Sequence, residues 1–256
     1  LIKVTQETLS QAQEVAQKVS TVVVTDVLKA MKVEALRDEL VVFCELGQRV
    51  IHQTCRRVFN GETVPAEEKI LSVFEPHTDL IKRGKVQTPV EFGHKIFLSE
   101  SAQGLITDYR VLVGNPSDDQ HVATSLEQHQ QMFGRPPHLY AGDRGFYSQQ
   151  NVARCETTGV QVVCLPYRGG HKTAERQALE KSAAFKKGQR FRAGVEGRIS
   201  VLMRGRGMKR CLDEGLERFE VFVGAAVLAN NLLQIARILK KKNQRRRGAR
   251  RARIRA

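Results

Sequence analysis

His138-Leu139-Tyr140-Ala141-Gly142-Asp143-Arg144-Gly145-Phe146-Tyr147-Ser148 decides how this chain reads. Leu139, Tyr140 and Ala141 form a short apolar run, Gly142 and Gly145 interrupt it, and Ser148 stands where a helix cap belongs. That order predicts a strand, a tight turn and a helix. Asp143 then lies just past the end of a strand, where open α/β sheets gather ligand and metal sites. A turn-forming aspartate that bonds its own backbone is an equally good reading of that position alone.

Downstream of the helix from Gln149 to about Thr157, Gly159 marks a turn and Val160-Gln161-Val162-Val163-Cys164-Leu165 an apolar strand. Upstream, Val90–Leu98 and Leu105–Val113 alternate in polarity on either side of Ser101-Ala102-Gln103-Gly104, which predicts a hairpin. Asn115-Pro116-Ser117-Asp118-Asp119 ends it and starts a helix with Val122, Leu126, His129 and Phe133 on one face. Asp118 and Asp119 read as helix-start residues, and His77 and His94 as structural histidines. Residues 1 to about 60 are periodic in the helical sense, as is most of 174–242. The order β-β-α-β-α-β-α-α predicts an α/β fold, a mixed sheet with flanking helices. Boundaries follow at 1–62 for a helical segment, 63–240 for the main domain and 241–256 for a basic tail.

The 256 residues carry 42 Lys+Arg against 27 Asp+Glu, a formal charge of +15. At 41% hydrophobic the chain has ample apolar content for a core, which excludes wholesale disorder. No uninterrupted run of about 18 apolar residues is present, so no membrane span is predicted. Five scattered cysteines without a CxxC pair read as free thiols. Eleven of the positive charges fall between Arg237 and Ala256 with no acidic residue among them, which leaves +4 for the rest. Such a tail is predicted to be disordered, with a polyanion as its natural partner. A second basic stretch is Phe185-Lys186-Lys187-Gly188-Gln189-Arg190-Phe191-Arg192, continued by Arg198, Arg204, Arg206, Lys209 and Arg210. It lies inside the fold with Phe residues interleaved, and is the better candidate for a DNA-facing surface. Within it Arg192 precedes Glu196 by four residues, which puts both on one helix face.

Asp-Arg-Gly-Phe-Tyr-Ser after a strand, with Arg-x-x-x-Glu in a basic helix about fifty residues on, resembles a bacterial insertion-sequence transposase of the DDE type, closest to the ISNCY-like group. The likeness covers about residues 40–240. It takes in Phe74-Glu75-Pro76-His77-Thr78, Lys82-Arg83-Gly84-Lys85 and Glu91-Phe92-Gly93-His94-Lys95. The resemblance implies an RNase H-like catalytic domain that cuts and rejoins duplex DNA at element ends and target. It also implies a homodimer on DNA and a place in the bacterial cytoplasm at the nucleoid, with no membrane. Three carboxylates hold two Mg²⁺ ions about 3.5–4 Å apart, Mn²⁺ being able to substitute, for in-line displacement at phosphorus.

By the match Asp143 is the second acid and Glu196 the third, both metal ligands. Arg192 contacts phosphate or orients Glu196, and Lys82, Arg83, Lys85, Arg144, Lys186, Lys187, Arg190, Arg198 and Arg204 are DNA contacts. Gln189 departs from an aromatic residue usual in the family, and Met203 from a lysine, beside Arg204. The first acid ends a strand upstream of the opening helical stretch, and no residue of this chain matches it. Asp26 and Asp38 fall in helical patterns, and Asp79 in a loop. The expectation is therefore a chain truncated at its N-terminus. Two alternatives follow: a catalytically incomplete remnant that binds DNA without cutting it, and a basic RNA-binding protein.

Overall fold

A computed structural model describes residues 1–82 and 89–255. It is a mixed α/β structure, about 60% helical, in two compact units, Leu1–His94 and Lys95–Ala256.

The first unit opens with a helical hairpin of α1 (Ile2–Ser20) and α2 (Val27–Val58). Asp26 caps α2 by accepting the Lys29 N–H at 2.9 Å, satisfying a donor that the helix itself leaves open. Gly47 lets the helices close, since a Cβ there would stand 2.7 Å from Leu9 Cδ2. The Gln53 side chain then clamps the Ile70 backbone with two 2.9 Å hydrogen bonds. Pro65 begins only a short 3₁₀ turn, Ala66–Glu68. β1 (Asp79–Lys82) pairs antiparallel with β2 (Val90–Gly93), Asp79 opposite Gly93, so Asp79 starts a strand instead of lying in a loop. Across this pair His77 stacks on His94 at 4.9 Å between ring centroids. His94 Nδ1 lies 3.0 Å from Asp79 Oδ2 and its Nε2 2.7 Å from His77 Nδ1, a structural use of both rings.

The second unit begins with a hairpin at the predicted Ser101–Gly104 turn, β3 (Lys95–Glu100) against β4 (Ile106–Leu112). The single strand expected over Val90–Leu98 is broken at His94, its first half being β2, which pairs with β1 instead. Gly104 closes it at a φ of +78°, a value that favours glycine. After a 3₁₀ turn at Asp118–His121 come α3 (Val122–Phe133) and β5 (Leu139–Ala141). A second 3₁₀ turn spans Arg144–Phe146, followed by α4 (Gln149–Thr157) and β6 (Val162–Cys164), which runs parallel to β5. α5 (Ala174–Lys181), α6 (Ala183–Gly205) and α7 (Leu216–Arg255) complete the chain. One core joins Ile106 of β4, Leu202 of α6 and Val223, Ala226 and Val227 of α7. Another joins Val122 and Leu126 of α3 to Cys155 and Val160 around α4.

Two expectations are corrected. The single RNase H-like mixed sheet is not seen: the described strands form three separate two-stranded sheets. β5 and β6 are three residues each, cut short by Pro136-Pro137 and Gly142 on one and Gly159 and Pro166 on the other. Strands that short, bounded by Pro and Gly, carry a single ladder. The basic tail is not disordered either, because α7 continues through Arg255. Lys, Arg, Gln and Ala are strong helix formers, α7 is already nucleated by packing, and cations suit a helix C-terminus. Leu216–Arg247 is also long and apolar enough to cross a membrane by length and composition, because Asn and Gln break its apolar run without adding charge.

Candidate functional site

β5 ends at Ala141, and two residues later Asp143 caps the 3₁₀ turn, its Oδ1 accepting the Gly145 N–H at 2.8 Å. The turn-forming reading therefore holds for Oδ1, while Oδ2 faces elsewhere, toward Arg192. α6 crosses the carboxyl ends of β5 and β6. It comes close because Gly188 has no side chain: a Cβ there would collide with Cys164 Sγ and stand 2.9 Å from Cys164 Cβ. One residue on, Gln189 Nε2 donates to both strand ends, to Gly142 O at 3.2 Å and Cys164 O at 2.7 Å. Phe185, a turn earlier on the same face, is buried.

That anchoring delivers Arg192 to Asp143. Its Nη2 lies 3.4 Å from Asp143 Oδ2, while Nη1 lies 3.0 Å from Glu196 Oε1. One guanidinium thus ties together two carboxylates from different elements. The side chains are graded in exposure, Arg192 29%, Asp143 40% and Glu196 65%, so the acids open to solvent and the cation sits beneath them. A third carboxylate approaches from the 3₁₀ turn before α3. A Cβ on Gly145 would stand 2.6 Å from Asp118 Oδ2 and 3.0 Å from Asp143 Oδ1, so only glycine lets both acids share that space. Asp118 is held there by Lys95 Nζ at 3.4 Å. Nothing in the spacing of the sequence marks Asp118 as a neighbour of Asp143.

The loop after β6 forms the other wall. Glu180 of α5 accepts the Tyr167 N–H at 2.8 Å, Lys172 Nζ at 2.6 Å and Arg176 Nε at 3.1 Å. Burial raises the Glu180 carboxyl, but these three donors outweigh it and hold the group below the ordinary range. Tyr167 in turn packs edge-on against Tyr147 at 5.0 Å, and its carbonyl accepts Arg144 Nε at 3.0 Å. The backbone on both sides of Asp143 is therefore tied down, by Gln189 before it and Arg144 after it.

The basic candidates divide. Arg144, Lys186, Lys187, Arg190 and Arg204 are exposed, with Lys186 and Arg190 one helical turn apart. Arg198 turns inward and pairs with Glu100 of β3 at 3.1 Å, with only 17% of its side chain exposed. Lys82 is exposed at the end of β1 in the first unit; Arg83 and Lys85 lie outside the described residues. Cys44, Cys155 and Cys164 are buried free thiols, and Cys55 and Cys211 are half-buried.

Hard oxygen donors are the right kind for Mg²⁺. Among the described residues, however, no group of three or more His, Cys, Asp or Glu is placed to hold a metal. Asp143 has one oxygen engaged by its own turn, and a guanidinium already lies between it and Glu196. These donors do not make up a two-ion centre. No family model, no curated protein and no solved structure matches the chain.

Proposed function

We propose that this chain is a DNA-binding domain of the DDE transposase type, acting as a dimer on the ends of a bacterial mobile element, with Asp143 and Glu196 as its acids. The observation that carries the reading is the Arg192 guanidinium shared by Asp143 and Glu196 at the carboxyl end of the parallel pair β5–β6. Residues 53 apart in sequence have no structural need to share one cation on an open surface.

Arg192 offsets one of the two negative charges of the acid pair and is the group a phosphate would meet beside it, displacing one carboxylate as it binds. Arg144 in the turn after β5 and Lys186, Lys187, Arg190 and Arg204 along α6 supply exposed positive charge, suited to holding the sugar–phosphate backbone in register. A finer reading, an RNase H-like catalytic domain using two Mg²⁺ ions, requires a third acid in the same site. The remnant reading, binding without cutting, is favoured by the donor count just described.

The test is duplex DNA carrying insertion-sequence ends, with and without Mn²⁺ or Mg²⁺. Binding should weaken steeply with salt. Each Lys or Arg replaced by Ala on the exposed set should lower the log–log salt slope by about 1. Metal-dependent nicking that disappears in Asp143→Asn, with binding kept, supports the complete enzyme. Binding without nicking supports the remnant. Preference for RNA at matched salt, or nicking that survives Asp143→Asn, overturns the transposase reading.

A further inference from the structure

α7 buries one face and leaves the opposite one bare. Val223, Ala226 and Val227 are in the core, and two polar side chains toward that side are spent on the hairpin. Asn231 exchanges two hydrogen bonds with the Ile106 backbone, at 2.9 and 2.8 Å, and Gln234 donates to Gln103 O at 2.7 Å. On the far side Val221, Ala225, Leu228, Leu232, Ile235 and Leu239 are all exposed. The five large ones are between 43% and 73% exposed. Their spacing alternates four and three, the seam of a two-helix coiled coil. It spans five turns, about 27 Å of helix.

We infer that this seam is a self-association surface whose occupant is α7 of a second copy, running antiparallel. The seam is its own complement about Asn230. Set head to tail, Val221 of one copy faces Leu239 of the other, Ala225 faces Ile235, and Leu228 faces Leu232. Each apolar residue meets an apolar one, and the small Ala225 meets a branched side chain.

Charge selects the direction. Beyond the seam, the N-terminal end of α7 and its approach carry exposed Asp213, Glu214, Glu217 and Glu220 against one exposed cation, Arg218. The C-terminal end carries exposed Lys240, Lys241, Lys242, Arg245, Arg246 and Arg247. A parallel pair would lay two such cationic runs side by side. The antiparallel pair lays each one along the more acidic end of the other copy, with Glu217 beside Arg245 on the same flank, while the next seam layer, Arg218 with Lys242, ends the apolar contact. Positions beside the seam, Phe222, Gly224, Ala229, Asn231, Ala236 and Ile238, bear no charge that would resist the approach. With the charged ends included, the surface covered is on the order of 800 Å² per copy, the size of a stable isologous interface. A lipid bilayer suits this helix less well, because inserting it would tear Asn231 and Gln234 from the hairpin.

The test is sedimentation equilibrium of the full chain, freed of nucleic acid, at moderate salt. A dimer with a micromolar dissociation constant is expected. Leu228→Glu with Leu232→Glu should give a monomer with an unchanged circular dichroism spectrum, because both side chains are already at the surface. Glu217→Arg alone and Arg245→Glu alone should each weaken the dimer at least several-fold, and the two together should restore it. A monomeric wild-type chain overturns the inference, as does a dimer that survives the double glutamate change. A monomer that floats with anionic vesicles assigns the face to lipid instead. Failure of the charge swap to restore association overturns the antiparallel pairing. None of these outcomes depends on whether the chain cuts DNA.

Discussion

Arg192 reaches 49 residues back along the chain to place Nη2 3.4 Å from Oδ2 of Asp143. The contact spans two elements, the long helix α6 and the turn after β5, and it leaves Arg192 between two acids. At this exposure the ion pairs themselves add little stability, about 1 kcal/mol or less together. Their larger effect is electrostatic. Arg192→Gln removes the cation and leaves two uncompensated carboxylates facing solvent. Mn²⁺ binding, followed by paramagnetic resonance or calorimetry, should therefore tighten several-fold in Arg192→Gln, while affinity for duplex DNA falls. Unchanged Mn²⁺ affinity would show that the guanidinium does not stand in the place a cation would take.

Gln189 and Gly188 position α6 across the strand ends, and both should be intolerant of change. Gln189→Leu keeps the bulk but leaves Gly142 O and Cys164 O without the amide donor. Cys164 O keeps the Gly142 N–H at 3.3 Å, but Gly142 O loses its side-chain donor, and the loss costs about 1–3 kcal/mol, read as a lower urea midpoint with an unchanged slope. Gly188→Ala drives a methyl into Cys164 and should cost about 1–3 kcal/mol through overpacking. Full stability in both variants would mean that α6 does not lie where the hydrogen bonds place it.

Those two residues mark the limit of what the sequence could reveal. The helices at 1–60, the hairpin around Ser101–Gly104, the Ser148 cap and the helix that follows it were legible, because apolar spacing and capping chemistry are local. The break at His94 that gives Val90–Gly93 to another strand pair was not. The Arg192–Glu196 pair was legible for the same reason, being one helical turn. Gln189 looked like a departure from a family pattern, and only the fold reveals its two carbonyl partners. Asp118 read as a helix-start residue, and it is one. Its closeness to Asp143 comes from Gly145, a tertiary contact with no spacing of its own. The tail misled because charge density suggests disorder, whereas Lys, Arg and Ala attached to a packed helix simply prolong it. The sheet misled because three-residue strands satisfy the order of an α/β fold without joining into one sheet.

Glu180 ties down the Tyr167 loop, and its carboxyl is held below the ordinary value by Lys172, the Tyr167 N–H and Arg176 against the opposing effect of burial. The folded state therefore binds the proton less readily than the unfolded chain. Stability from this group is fully present above the unfolded carboxyl range near 4.5, and it is lost as pH falls through the lower folded value. Glu180→Gln should flatten the acid limb of a stability–pH curve and cost about 2–3 kcal/mol at neutral pH, leaving two cations without their partner. Tyr167, freed from its anchor, should become accessible to nitration. An acid limb as steep as that of the wild type would assign the acid sensitivity to other carboxylates.

At the other end of the pH scale the second core makes the opposite demand. Burial pushes the Tyr140 hydroxyl up to about 12, with the Ser125 hydroxyl 2.7 Å away as its partner. It pushes the Cys155 thiol up to about 11. Both groups keep their protons in the folded state at pH values where the unfolded chain has released them. The sign follows: each contributes fully below its unfolded value, 9.0 for the thiol and 10.0 for the hydroxyl. The contribution declines as pH rises through the interval up to the folded value. Stability should therefore fall steadily from about pH 9 upward. Cys155→Ala should remove the earlier part of that decline and Tyr140→Phe the later part, each at a cost near neutral pH from lost packing or the lost hydrogen bond. The same burial should make Cys155 inert to iodoacetamide at pH 8.5 in the folded chain, while Cys55 and Cys211, both half-buried, react. Rapid labelling of Cys155 without unfolding would mean that α3 and α4 open far more readily than their shared core of Val122, Leu126 and Val160 implies.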